Sequence, residues 1–323
     1  RIVQIFTSRR MLVMLLLGFS SGLPLALTAG TLQAWMKTVS IDIKTIGLFA
    51  LIGWPYTIKY LWSPLMDRYC PPWLGRRRGW ILVTQLLLVV STAVLGFLNP
   101  STQLVAFALL ATLIAFFSAS QDIVIDAYRT ELLSDDERGA GAAISNTGYR
   151  LAMLTSGALA LILSDHMAWS EVYLVMAGAM ALGIIGTLIA PEPSEKVIPP
   201  RSIPEAVLLP FFDFFRRARA FEMLAFILLY KLGDVLAMAL STPFMMELGF
   251  TRQEIGYVSK GVGFASAIVG SLVGGALMVK LSMRQSLYYF GVVQCGSIIY
   301  FSHLAMVGRD YTVMAIAVAI ENF

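Results

Sequence analysis

Nine apolar runs and the start of a tenth divide this chain of 323 residues, at about 10–36, 45–66, 80–98, 102–128, 141–163, 170–190, 221–246, 254–279, 284–305 and from 311 onward. A helix needs about 20 apolar residues to cross the hydrocarbon of a bilayer. No water is available there, so each crossing segment must satisfy its own backbone hydrogen bonds, and helices do so within one segment. The expectation is an all-α polytopic membrane protein whose main partner is the lipid bilayer. Hydrophobic residues at 58% and charged residues at 14% exclude an ordinary soluble domain.

The loop Asp67–Arg78 (DRYCPPWLGRRR) carries Arg68, Arg76, Arg77 and Arg78 between two apolar runs. Short loops rich in Lys and Arg stay cytoplasmic. Placing the amino terminus inside puts sixteen of the 24 Lys and Arg in or beside inner loops: Arg1, Arg9, Arg10, Arg68, Arg76, Arg77, Arg78, Arg129, Arg138, Lys196, Arg201, Arg216, Arg217, Arg219, Lys280 and Arg284. Lys37, Lys44, Arg252 and Arg309 fall outside. The net charge of +4 therefore reports topology and no nucleic-acid footprint. The first apolar run follows Arg9 and Arg10 without a small-residue cleavage site, so it reads as a span and no signal peptide.

A polar interruption, PEPSEKVIPPRSIP followed by the amphipathic FFDFFRRARAF, separates six runs from the rest. It divides the chain into an amino-terminal six-helix half (1–190), an inner linker (191–220) and an incomplete second half (221–323). The halves repeat at an offset of about 210 residues: GLPLALTAGTLQAWM from Gly22 aligns with GDVLAMALSTPFMME from Gly233, and Ile46-Gly47 with Ile255-Gly256. Two pseudo-symmetric, parallel halves are the organisation of major facilitator transporters. Because the last run is cut at Phe323, the chain reads as a fragment with a truncated second half, lacking about two to several spans.

Ionisable groups inside spans need a partner or a function. Asp122, Asp126 and Arg129 share one helical face in SASQDIVIDAYRTELL. Asp126 and Arg129 either neutralise one another or line a path; Asp122 lies about one turn deeper, with no partner on its own helix. Arg150 falls about 15 Å from the inner end of its span and must meet an anion, either Asp122 or a ligand carboxylate. Lys231 and Asp234 form either an internal ion pair or a coupling pair, and Glu321 and Asn322 open a comparable polar point. Gln33 and Gln121 are further polar candidates, while Trp35 and Trp54 offer faces for a sugar. Lys59 and Lys260 are expected to snorkel to the surface. Asp122, Asp126, Asp234 and Glu321 are the expected proton carriers, since His166 and His303 sit near outer helix ends.

No CxxC or Cys/His cluster offers metal spacing, and Cys70 and Cys295 lie too far apart in topology to pair. The Gly-rich stretches GAGAAISNTG and GASAIVGSLVGG lack the GxxxxGK[ST] pattern, so they read as helix-packing surfaces. Without GxSxG or HExxH, no catalytic residue is expected, and the chain is not read as an enzyme.

The Asp67-Arg68 and Arg76-Arg77-Arg78 loop resembles the major facilitator motif between spans two and three, which implies a cytoplasmic gate. GFSSGLPLALTAGTLQAWM from Gly18, IKTIGLFALIGWPYTIKYLWSPLMDRY from Ile43, SASQDIVIDAYRTELLSDDERGAGAAISNTGYR from Ser118 and YKLGDVLAMAL from Tyr230 together resemble the AmpG muropeptide permeases of Gram-negative bacteria. That resemblance implies proton symport of GlcNAc-anhydro-MurNAc and its peptides across the inner membrane, for peptidoglycan recycling and β-lactamase induction. It implies the proton as coupling ion, no other cofactor and no obligate protein partner. The second half departs from the motif, with Val279 at the position of Asp67. Two alternatives stand: a related facilitator for another bulky anion such as acetyl-CoA, and a membrane-embedded sensor or enzyme whose functional domain lies beyond Phe323.

Overall fold

The computed structural model describes residues 2–193 and 202–323, and these are helical with short connections. Two compact units result, Arg1–Val207 and Leu208–Phe323. Arg1, Lys196, Arg201 and most of the Pro-rich linker lie outside the described residues.

Six helices among the described residues are long and apolar enough to cross a bilayer: Arg9–Thr38, Arg76–Phe97, Leu104–Leu132, Trp169–Ile189, Gln253–Met278 and Met283–Val307. Polar caps set several of the boundaries. Ser8 accepts from the Met11 N–H at the head of the first helix, and Ser134 with Glu137 forms a capping box at the head of Asp135–Leu154. Glu137 is also held by Arg10 at 2.8 Å.

The second segment departs from the expected single span over 45–66. It is a chain of short pieces: helix Ile43–Leu48, a 3₁₀ turn Phe49–Gly53, helix Trp54–Ile58, a 3₁₀ turn Lys59–Leu61 and helix Ser63–Arg68. Pro55 and Pro64 stand in the first turns of two of those pieces. Proline removes a backbone donor and clashes with the preceding turn, so each restarts the helix instead of continuing it. The fifth segment is likewise modified, with a π turn at Thr155–Leu159 between Asp135–Leu154 and Ala160–Ser164.

Within the first unit, helix Arg9–Thr28 packs most extensively on Asp135–Leu154. A β-carbon at Gly18 would strike the Ser145 carbonyl, and one at Gly148 would strike the Leu15 carbonyl. Both positions therefore need glycine for a backbone-to-backbone approach, as the small-residue reading of GAGAAISNTG anticipated. Beyond this crossing lies an apolar core of Leu23, Leu27, Leu32, Met36, Phe107 and Tyr173. Outward positions such as Val90, Phe97, Val105, Leu109 and Ile185 are exposed, the arrangement expected where lipid replaces water as solvent.

In the second unit, helix Ala220–Glu247 follows Arg219, whose φ of 65° marks a sharp left-handed entry. Helices Met283–Val307 and Tyr311–Asn322 enclose a smaller core of Met245, Ile255, Val258, Leu304, Met314 and Val318.

A valine at Gly148 should cost about 1–3 kcal/mol or more through overpacking. Gly178, with nothing within 4 Å of an added β-carbon, should tolerate alanine with little change. Thermal unfolding of the two variants in detergent checks the contrast; equal melting temperatures would refute the close crossing. Glu137 supplies a second test. Burial pushes its carboxyl up, but hydrogen bonds from Ser134 and Arg10 outweigh this and hold it below the ordinary 4.5. Its stabilisation is therefore complete above that value and is lost as pH falls through the lower folded value. Between pH 6 and 3.5 the native melting temperature should fall further than that of Glu137→Gln.

Candidate functional site

Polar groups of the first unit gather in two places. At the arginine-rich end, the Arg77 guanidinium reaches Asp67 Oδ1 at 2.7 Å and Glu131 Oε1 at 2.6 Å. Arg76 joins from the side, donating to Glu131 at 2.9 Å and to the Asp67 carbonyl at 3.3 Å. Both arginines belong to helix Arg76–Phe97, Asp67 to the last short helix of the second segment and Glu131 to helix Leu104–Leu132. Two guanidiniums and two carboxylates thus tie three segments together. Arg77 is 8% exposed, so each of its bonds is made away from bulk water.

The five expected gate residues do not act as one group. Arg78 turns to the end of helix Ala181–Ile189, donating to the Thr187 and Leu188 carbonyls of its last turn at 3.3 and 3.2 Å and to Glu192 at 3.4 Å. Arg68 lies over the Tyr69 ring at 5.5 Å. Glu131, which the sequence reading passed over, takes the central place; its position at the end of an apolar run beside an arginine loop was the available signal.

Deeper in the first unit, Asp122 is held by two neighbours on different segments. Ser21 donates to Oδ1, and the Lys59 ammonium lies 3.9 Å from Oδ2. Asp122 thus has partners on adjacent segments, which helix spacing alone did not reveal. Lys59 corrects the expectation of snorkelling: its head turns toward the carboxylate instead of the surface, and its side chain is 35% exposed. Trp62 fixes the same stretch, donating through Nε1 to Ser120 Oγ at 3.0 Å. Tyr149 lies within electrostatic reach of both Asp122 and Arg150. Arg150 Nε is buried with no hydrogen-bond partner among the described residues. A guanidinium with a spare donor can bind an anion, and a carboxylate can hold a proton.

Several other candidates have structural placements. Asp126 and Arg129 neutralise one another at 2.9 Å. Gln121 is fully buried and donates to Ser20 Oγ at 3.0 Å, while Gln85 donates to the same oxygen at 3.3 Å and accepts from Thr187 at 2.8 Å. Gln121 belongs to a polar strut linking four helices, and its Oε1 is buried without a hydrogen-bond partner among the described residues. Trp35 is likewise packed inside the unit. It is 5% exposed, with Phe107, Trp169 and Tyr173 rings at 5.1, 5.8 and 5.0 Å, which leaves no free face for a sugar. Trp54 is exposed and Gln33 half-buried.

In the second unit, Lys231 is exposed on helix Ala220–Glu247. The Asp234 side chain lies outside the described residues, so its pairing with Lys231 is not described. Glu321 is half-buried, and Asn322 donates back to the Val318 carbonyl at 2.9 Å. Cys70 and Cys295 are both free and exposed.

Removing Arg77 takes away the guanidinium shared by Asp67 and Glu131 while Arg76 still holds Glu131, so Arg77→Ala should cost about 1.5–3 kcal/mol. Arg78→Ala, which loses carbonyl bonds near the surface, should cost about 1 kcal/mol. Melting temperatures of the two purified variants rank them, and an equal loss would contradict the central position of Arg77.

Comparison with known proteins agrees with this architecture. The Major Facilitator Superfamily model matches residues 9–321. The chain is 51% identical over 322 residues to the anhydromuropeptide permease of Escherichia coli K12, covering 99% of this chain and 66% of that protein. It therefore spans just under two thirds of that relative's length. It is 32% identical to the putative transporter AmpG 4 of Rickettsia conorii, covering 100% of this chain and 80% of that protein. Against the putative transporter AmpG 3 of Rickettsia prowazekii the identity is 34%, covering 96% and 77%. With its apolar helices and its full-length matches, the chain belongs to the major facilitator superfamily as a polytopic membrane protein of the AmpG type.

Proposed function

We propose that this protein imports anhydromuropeptides, GlcNAc-anhydro-MurNAc and its peptides, from periplasm to cytoplasm by proton symport. The 51% identity over 99% of the chain to a protein named anhydromuropeptide permease carries this reading. The interior polar groups support it: Asp122 is a carboxylate that can take up a proton, and Arg150, which like Asp122 lies within electrostatic reach of Tyr149, has a spare donor that suits a carboxylate of the substrate. The exposed face of Trp54 is a stacking surface for a sugar.

The setting that follows is a bacterial inner membrane with the amino terminus cytoplasmic, in agreement with the arginine-rich loops. The import would serve peptidoglycan recycling and supply the signal for β-lactamase induction. The proton is the coupling ion, and no other cofactor is required. In this cycle a proton neutralises Asp122, the substrate engages Arg150, and both are released on the inner side as the carboxylate regains its charge. The Asp67–Arg77–Glu131 cluster is the inner latch that opens and closes during the cycle.

Proteoliposomes holding the full chain should accumulate labelled GlcNAc-anhydro-MurNAc-tripeptide under an inward proton gradient and lose it when an uncoupler is added. Asp122→Asn should reduce accumulation to the uncoupled level. Arg150→Ala should raise KM about 10- to 100-fold, the loss of one charge-assisted hydrogen bond. Native-level uptake in both variants would reject the site, and no uptake by the native protein would reject the substrate.

A further inference from the structure

Lys59 stands out among the charged groups of the first unit because its one ion-pair partner is the carboxylate best placed to take a proton. The two oxygens of Asp122 are divided between partners. Oδ1 accepts from the Ser21 hydroxyl, whereas Oδ2 faces the ammonium and accepts no hydrogen bond among the described residues, which makes it the less encumbered oxygen for a proton. A proton on Oδ2 and a close Lys59 are mutually exclusive, since protonation removes the charge that attracts the lysine.

The backbone carrying Lys59 departs from a regular α-helix. Lys59 opens the 3₁₀ turn Lys59–Leu61, and of the flanking residues Ile58, at φ, ψ of −102°, 10°, lies outside the helical region while Trp62, at −109°, −3°, stays within it. Such a turn inside a membrane segment is a discontinuity about which a side chain can swing. The Trp62–Ser120 bond anchors the far side of the turn on the same helix as Asp122. The remaining charged and titratable groups around the carboxylate are few: Tyr56 on the Lys59 segment, Asp126 on its own helix, and Tyr149 with Arg150 on the fifth segment. Among the described residues, Lys59 is the cation that forms an ion pair with Asp122.

We propose that Lys59 is the exchangeable counter-ion that couples the proton to the substrate: it pairs with Asp122 when the carboxylate is charged and with a substrate carboxylate when a proton sits on Oδ2. The proposal rests on the transport reading above. One proton binds Oδ2 from the outer compartment, forming an O–H bond; the same proton leaves inward when the substrate departs and Lys59 returns. Binding is ordered, proton before substrate, because the cation is unavailable to the substrate until Asp122 is neutral.

The test uses the full chain with Lys59→Met and Lys59→Arg, both compatible with a side chain that is one-third exposed. In proteoliposomes, Lys59→Met should lose tenfold or more of the uncoupler-sensitive accumulation of labelled anhydromuropeptide, and Lys59→Arg should restore most of it. A ligand-free readout stands beside this one: the infrared band of the protonated carboxyl that Asp122→Asn abolishes. In Lys59→Met that band should persist to a pH higher by about one unit or more than in the native protein, and Lys59→Arg should return it. Native accumulation in Lys59→Met, or an unmoved band, overturns the counter-ion role. Failure of the native protein to accumulate the substrate, with the band shift present, rejects the transport reading while leaving the Lys59–Asp122 couple intact. A Lys59→Met protein that does not fold, while Lys59→Arg folds with the native band and native accumulation, would itself show a requirement for the cation at this point.

Discussion

The backbone crossing between helix Arg9–Thr28 and helix Asp135–Leu154 is the contact on which the rest of the first unit depends. Gly18 and Gly148 let the two chains touch, and a methyl group at either would meet a carbonyl oxygen. Hydrocarbon offers no hydrophobic drive between helices, so association must come from close contact and from polar bonds. The crossing joins the helix of Ser21 to the helix of Tyr149, and both residues reach Asp122 of helix Leu104–Leu132, Ser21 by a hydrogen bond and Tyr149 electrostatically. Looser packing would separate the hydroxyl from the carboxylate it serves.

Once the helices are that close, their polar groups can be satisfied only by one another. The Ser20, Gln85, Gln121 and Thr187 network does this across four helices, leaving Gln121 Oε1 as its one buried atom without a partner among the described residues. The Asp67, Arg76, Arg77 and Glu131 cluster does it with full charges at the arginine-rich end. Between these two fixed points runs the broken second segment, anchored at one end by Asp67 and further in by Trp62. Lys59 lies between those anchors and a helix restarted by proline. Rigid walls around one discontinuous segment give a membrane protein a place to change shape without exposing unsatisfied backbone to lipid.

The candidate site was legible in part. Asp122, Asp126, Arg129 and Arg150 announced themselves as charges inside apolar runs, where each needs a partner. The partners were not legible, because they come from segments distant in the chain: Ser21 is separated from Asp122 by 101 residues and Arg77 from Glu131 by 54. The packing of Trp35 and Gln121 inside the first unit was not legible for the same reason. A tryptophan or glutamine on a helix has the same spacing whether it faces a cavity or three other rings, and only packing tells these apart. Lys59 carried a signal, a cation within a span, but its long stem allows either snorkelling or an inward turn.

By itself the sequence determined the all-helical, membrane-spanning class and the positions of most of the segments. Apolar run length and the obligation to satisfy every backbone hydrogen bond in lipid leave little choice, and the arginine-rich loops mark one end of the bundle. The tertiary structure alone decided which polar residue meets which. Helix periodicity reports the face a residue occupies, whereas an ion pair or hydrogen bond depends on the crossing angle, depth and rotation of two separate helices. Those quantities are set by contacts such as Gly18 on Ser145 and Gly148 on Leu15, which no single segment encodes.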